Sequence, residues 1–322
     1  MAGQVAPLRE EVAALKATLA AAALQAAPLR ERVAALEAAD AKHRQRIGSL
    51  VAEDARNRSL HKIMLFAVAR SGDHIGVLGL LQHTSVLVDF ARYDGMTLLF
   101  IAALNGHVRV VKALLDQGAA VNRTRPTTGG TPLYAASQNG HLGVVEALLG
   151  EGADVDKACN TGASPLYAAA RNGHVGVVKA LLGKGAVADK ACTDGATPVW
   201  IASQQGHLGV VKALLNKHAD MTTTLTEYGQ TPLIVAAQRG HLGVVEALLG
   251  KGAGVDEARP DGLTPLYVAA HSGHLGVVEA LIARGAEVSK ACTVSGGTPL
   301  RAATRQGHHA IVEMLTRVAS GN

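Results

Sequence analysis

Through most of the chain, apolar residues come in two alternating blocks separated by short polar stretches. Residues 131–163 show the pattern. Thr131-Pro132-Leu133 opens a compact apolar block that closes on the small residues Ala135, Ala136 and Ser137, and the polar pair Gln138-Asn139 ends it. After Gly140-His141, Val144-Val145 and Leu148-Leu149 return at helical spacing. Gly152-Ala153 stops that run, and Asp156–Gly162 is polar. The pattern predicts two short helices and an exposed turn or hairpin. Thr131 can cap the first helix's orphan amides, and Pro132 suits its first turn. Gly140 ends that helix where only glycine adopts a left-handed conformation cheaply. The small residues let the next helix approach closely, and the polar segment returns the chain.

The same unit recurs. Gly-His stands at Gly106, Gly140, Gly173, Gly206, Gly240, Gly273 and Gly307, in steps of 34, 33, 33, 34, 33 and 34. The stretch GHLGVVEALLG is written identically at 140–150 and 240–250. A fixed period of this length predicts stacked structural units, each packing on its neighbours.

The composite G-x-T-P-L-x-x-A-A-x-x-G-H-x-x-V-V-x-x-L-L-x-x-G-A resembles the ankyrin repeat. The resemblance runs from about Asp94 to the C-terminus, in copies opening at Thr97, Thr131, Ser164, Thr197, Thr231, Thr264 and Thr298. A degenerate copy opens near Ile63, with Phe66 and Gly72-Asp73 standing where Phe100 and Gly106-His107 stand. Degenerate terminal repeats fit a capping role. The resemblance implies an all-α fold, an α-solenoid of helix-turn-helix repeats with short hairpin loops, spanning 61–320 in about eight repeats. It also implies protein binding on a concave face made of hairpin tips and first helices. One column departs from the family, which carries His after Thr-Pro-Leu. Here it reads Phe66, Phe100, Tyr134, Tyr167, Trp200, Ile234, Tyr267 and Arg301. A packed seam between successive first helices is the leading expectation for these rings, and an exposed stacking ladder is the alternative.

Upstream, residues 1–58 form a separate helical, coiled-coil-like segment. APLREEVAAL (6–15) recurs as APLRERVAAL (27–36), three heptads later. Leu8, Val12, Leu15, Leu19, Ala22, Ala26, Leu29, Val33 and Leu36 alternate by four and three residues, a coiled-coil seam. Asp40 and His43 then fall on that seam and weaken it. Pro28 removes one backbone bond and predicts a kink or a helix restart. Self-association through residues 8–50, folding back at Pro28, and docking on the weak first repeat as a cap are the three expected outcomes, with self-association first.

Composition narrows the function. Apolar residues make up 48% of the 322 residues but aromatics only 3%, so Ala, Val and Leu must fill the core, as closely packed helices require. The net charge of +5 is mild and contains no polybasic run. Three cysteines, an odd number, point to a reducing compartment, and the expected location is cytoplasmic or nuclear. No uncharged apolar stretch is long enough for a transmembrane helix, and Glu10, Glu11 and Lys16 argue against a signal peptide at the Ala-rich run that follows.

Catalytic and metal motifs are absent from the sequence. Equivalent Gly-His histidines of adjacent repeats lie too far apart to share a metal ion, and bonding to loop backbone is their expected work. Cys159, Cys192 and Cys292 occupy one repeat position, in Lys-Ala-Cys, and read as structural. Gly183-Lys184 and Gly250-Lys251 lack the rest of a phosphate-binding loop. The chain reads as no enzyme, with no cofactor and no metal.

The two positions before each Gly-His are where such folds vary most. They supply the candidate partner-binding residues Asn105, Gln138, Asn139, Arg171, Asn172, Gln204, Gln205, Gln238, Arg239, His271, Arg305 and Gln306, together with Leu104 and Ser272. The row contains no acid, while residues 61–322 are nearly balanced in charge. Amides and arginines offer donors for a peptide backbone or for carboxylates. The hairpins add Arg125, beside Arg123 and Pro126, and Tyr228, beside Glu227. The expected partner is a protein with an acidic surface. Nucleic acid or another anionic polymer along the row is the alternative.

Overall fold

The structure is a computed structural model and describes residues 10–16, 26–53, 58–82, 88–222, 228–294 and 296–320. Among these, regular structure is entirely helical, apart from isolated bridge residues such as the pair Ala91 and Thr97. The chain divides into two compact units, residues 1–136 with 146–153, and residues 137–145 with 154–322.

Helix pairs repeat along the sequence: Leu98–Leu104 with Val108–Asp116, Pro165–Arg171 with Val175–Gly183, Pro198–Gln205 with Leu208–Leu215, and onward to Pro299–Gln306 with His309–Ala319. The first helices begin as their sequence dictates. Thr97, Ser164, Thr197, Thr231, Thr264 and Thr298 each accept a bond from the amide three residues on, and proline fills the first turn wherever the sequence carries Thr-Pro or Ser-Pro. Gly206, Gly240, Gly273 and Gly307 end their helices at φ between 75° and 82°. In the second unit the first helices pack side by side from Pro165–Arg171 to Pro299–Gln306, and the second helices pack side by side behind them. Val177, Val178, Leu181, Val210, Val211 and Leu214 are almost wholly buried between the two layers. Each contributes about 1.5–3 kcal/mol of apolar burial.

Two ladders of polar contacts join neighbouring repeats within each unit. In the second unit Nε2 of His174, His207, His241, His274 and His308 lies 3.0–3.1 Å from the carbonyl oxygens of Gln138, Arg171, Gln204, Gln238 and His271. In the first unit His107 reaches the Arg70 carbonyl at 2.7 Å. The Gly-His histidines therefore bind backbone of the preceding repeat, as expected. Their rings lie against the preceding helix-ending glycines: a Cβ on Gly206 would stand 2.6 Å from Nδ1 of His241. The second ladder is made by aspartates that the sequence reading did not single out. Asp156 and Asp256 accept bonds from the Val187 and Glu287 amides, and Asp189 accepts one from Asp220 at 2.8 Å. Asp89 does the same for Ala120 in the first unit. Lys190 and Lys290 donate from Nζ to the Asp156 and Asp256 carbonyls at 2.6 and 3.0 Å. Those lysines belong to the Lys-Ala-Cys triplets, so the triplet's polar member also ties successive turns together.

The aromatic column packs. Phe66, Phe100, Tyr167, Trp200 and Ile234 are buried, Tyr134 and Tyr267 are half-buried, and only Arg301, in the last repeat, is exposed. Trp200 donates from its indole nitrogen to the Gln230 carbonyl at 2.9 Å, which meets the ring's one polar requirement. Burial, with the Cys192 thiol beside it, pushes the Tyr167 hydroxyl's pKa above the usual tyrosine range.

The degenerate repeat is present as Arg58–Ser71 and His74–Gln82. Without a Thr-Pro start, its first helix begins upstream of Ile63, the position expected from the period. Asp73 replaces the usual histidine and accepts a bond from the Gly76 amide at 3.0 Å. Ahead of it, helix Ala26–Glu53 carries Pro28 in its first turn, where the missing amide costs no helical bond. This helix packs on His74–Gln82, the capping arrangement. Residues 10–16 are helical and lie against it through Glu11–Arg32 at 2.8 Å and Lys16–Glu37 at 2.5 Å. Glu11 and Arg32 are equivalent in the duplicated decapeptide, and so are Lys16 and Glu37 one residue beyond it. The two copies therefore differ by opposite charges at the positions that pair. Leu8, Leu19 and Ala22 of the expected seam lie outside the described residues. No helix among the described residues is long and apolar enough to cross a membrane.

Candidate partner-binding surface

In the second unit the end of each first helix is followed by glycine and, where another repeat follows, held by that repeat's histidine, which binds the carbonyl of the first of the two row residues. The row residues therefore sit on rigid backbone. In the second unit, Gln138, Asn139, Arg171, Asn172, Gln205, Gln238, Arg239, His271, Arg305 and Gln306 are exposed, and Gln204 is half-buried. The packing of the first helices brings the row residues of Pro165–Arg171 through Pro299–Gln306 to one edge of one layer.

Their chemistry divides. Asn172 donates to the Ala168 carbonyl at 2.9 Å, and Asn105, in the first unit, to Ile101 at 2.8 Å. These amides cap their own helices, so they are committed locally. Gln238 accepts from Gln230 at 3.1 Å, Gln205 lies 3.4 Å from Gln204, and Gln306 lies 3.4 Å from Nδ1 of His271. The His271 ring stacks on Tyr267 with centroids 6.4 Å apart. Arg171, Arg239 and Arg305 make no ion pair among the described residues, and they are the row's free charges. Tyr228 is 50% exposed at its hairpin, while its neighbour Glu227 lies outside the described residues. Arg125, in the first unit, is held near Asp94 and donates from Nε to its carbonyl at 3.3 Å, so it reads as part of its hairpin.

Beside the row, a cleft of about 400 Å³ is lined by Gln238, Arg259, Tyr267, His271, Cys292 and Val294, among others. Arg259 pairs with Asp261 at 2.8 Å, and Val294 is 81% exposed. Cys159, Cys192 and Cys292 occupy the same turn position as Arg92, Arg125 and Arg259, an equivalence that the spacing of the turns already carries. Cys292 is buried. Burial, followed by donation to Asp194 at 2.7 Å, raises the Cys192 thiol's pKa, and that same bond holds Asp194 below the usual carboxylate range. A protonated thiol of this kind is a poor nucleophile. Among the described residues no group of three or more His, Cys, Asp or Glu is arranged to hold a metal ion.

Comparison with known proteins follows the same repeat. The family model described as ankyrin repeats (3 copies) matches at 36–125, 63–159, 120–192, 152–224, 184–259 and 251–321. The crystal structure of the human ASB11 ankyrin repeat domain is similar at 29% identity and a TM-score of 0.62, covering 69% of this chain and 98% of that one. No curated protein matches the chain.

Proposed function

The chain belongs to the ankyrin repeat family, and from that premise we propose that it is a protein-interaction scaffold reading its partner along the first-helix row. Ankyrin repeats generally mediate protein–protein interaction, and such repeats are generally binding modules rather than enzymes. The observation that supports this surface is the row itself: exposed amides with Arg171, Arg239 and Arg305, which make no ion pair among the described residues, on helix ends fixed by the histidine ladder. Because that backbone is ordered before contact, binding loses little conformational entropy. These guanidiniums favour a partner with exposed carboxylates, which they can grip bidentately. Self-association through residues 8–50 would add avidity, and the odd number of cysteines agrees with a cytoplasmic or nuclear setting.

The test is affinity capture with mass spectrometry, comparing the full chain with its Arg171→Glu, Arg239→Glu, Arg305→Glu variant in one lysate. Proteins retained by the wild type and lost by the variant support the row. Equal capture by both chains contradicts it. Capture of nucleic acid with steep salt dependence would instead favour the polymer reading.

A further inference from the structure

The first unit carries a second surface that the row does not include. An open cleft of about 520 Å³ lies between helix Arg58–Ser71 and the turn at 90–93. Phe66 and Phe90 form its floor, ring edge to ring face, with centroids 5.0 Å apart. Its lip is apolar and open to water: Ile63 is 65% exposed and Tyr93 96%. A terminal repeat ordinarily turns a polar face outward, so an aliphatic and an aromatic side chain left bare on the degenerate first repeat need a reason.

The charges around the cleft supply one. The Lys62 ammonium lies 5.4 Å from the Phe90 ring centre, and the Arg92 guanidinium lies 6.0 Å from that of Phe66 and 5.3 Å from that of Tyr93. Arg70 also lines the cleft, and no acid does. Arg92 is ion-paired to Asp94 at 2.7 Å, but Lys62 and Arg70 have no carboxylate partner among the described residues. An apolar floor flanked by uncompensated cations complements an apolar side chain flanked by carboxylates. A nucleic-acid strand would want its cations in a track following the backbone, whereas these surround a depression. Tyr and Arg are among the residue types that dominate binding energy once a partner desolvates them.

We propose that the cleft formed by Ile63, Phe66, Phe90 and Tyr93, with Lys62 and Arg70 beside it, docks an acidic partner segment that inserts Phe, Trp or Leu between Asp or Glu residues. This site is independent of the first-helix row, and either can fail without the other.

The experiment selects a random-peptide phage library on the full chain, with counter-selection on a Lys62→Glu, Tyr93→Ser variant, and measures winning peptides by fluorescence anisotropy. Enriched peptides are expected to join Asp or Glu to Phe, Trp or Leu. Their binding should weaken about tenfold or more in the double variant and in Tyr93→Ser alone, yet stay unchanged in the Arg171→Glu, Arg239→Glu, Arg305→Glu chain. Tyr93 is almost fully exposed, so Tyr93→Ser should keep the wild-type circular dichroism spectrum and report on binding alone. The proposal is overturned if no peptide distinguishes wild type from variant, or if the enriched peptides lack either acids or large apolar residues. Equal binding of polyglutamate or single-stranded DNA would also overturn it. A dimer in sedimentation equilibrium that Tyr93→Ser dissolves would show a second copy of the chain to be the occupant, and would overturn it too.

Discussion

Single residues show where this fold is intolerant. Gly206 combines φ of 76° with a histidine ring where its Cβ would stand. Gly206→Ala should cost about 1–2 kcal/mol from the backbone alone, with displacement of His241 added. Gly183, the last residue of helix Val175–Gly183, has no neighbour within 4 Å of its would-be Cβ and no left-handed φ, so Gly183→Ala should stabilise by about 0.4–1 kcal/mol. Urea midpoints of the two variants should move in opposite directions, and a parallel shift would refute the distinction. Trp200, the chain's one tryptophan, reports on the packed column. Its emission should be blue-shifted when folded, and Trp200→Phe should cost about 1 kcal/mol for the lost bond to Gln230. Charge adds a pH dependence. Burial opposes ionisation of Asp94, but the Met96 amide and Arg92 hold its carboxyl below the usual range, and the Cys192 thiol helps do so for Asp194. A depressed carboxylate pKa contributes stability that is fully present above the unfolded value. Stability should therefore fall as pH drops through the depressed values, and Asp94→Asn should flatten part of that acid limb in thermal melts.

At the level of elements, the chain was largely readable. Thr-Pro starts, Gly-His breaks and Val-Val/Leu-Leu faces state the helix pair locally, because each signal acts within one turn of the residue that carries it. Replacing a cap should have the local cost: Thr231→Ala is expected to lose about 1 kcal/mol by denaturant titration, while Thr231→Ser keeps most of it. Two features needed the third dimension. The aspartate ladder joins residues 31 apart, and Asp156, Asp189 and Asp256 stand at multiples of the repeat; periodicity could have flagged them, but not their amide partners. The N-terminal helices posed the other difficulty. A 4-3 seam says that a helix wants an apolar partner without saying which, and in this chain the face offered by His74–Gln82 takes helix Ala26–Glu53. The charge exchange between Glu11 and Arg32, and between Lys16 and Glu37, was visible in the duplicated sequence but has meaning only once the copies lie side by side.

For the whole molecule, repetition makes the fold legible and the partner obscure. Positions that meet the neighbouring repeat are rewritten alike, so specificity is left to the few that vary. In the second unit those are the row residues, and the structure sorts them further: Asn172 serves its own helix, while Arg171, Arg239 and Arg305 make no ion pair among the described residues. The same sorting could not be made from sequence, since an asparagine that caps a helix and one that greets a partner are spelled the same way. Recognition along the row can be read directly by hydrogen-exchange mass spectrometry of the full chain, free and bound to a protein recovered by the capture experiment. The account predicts added protection at 138–139, 171–172, 204–205, 238–239, 271–272 and 305–306. Protection confined to the second helices, such as Val175–Gly183 and Leu208–Leu215, with the row unchanged, would contradict it.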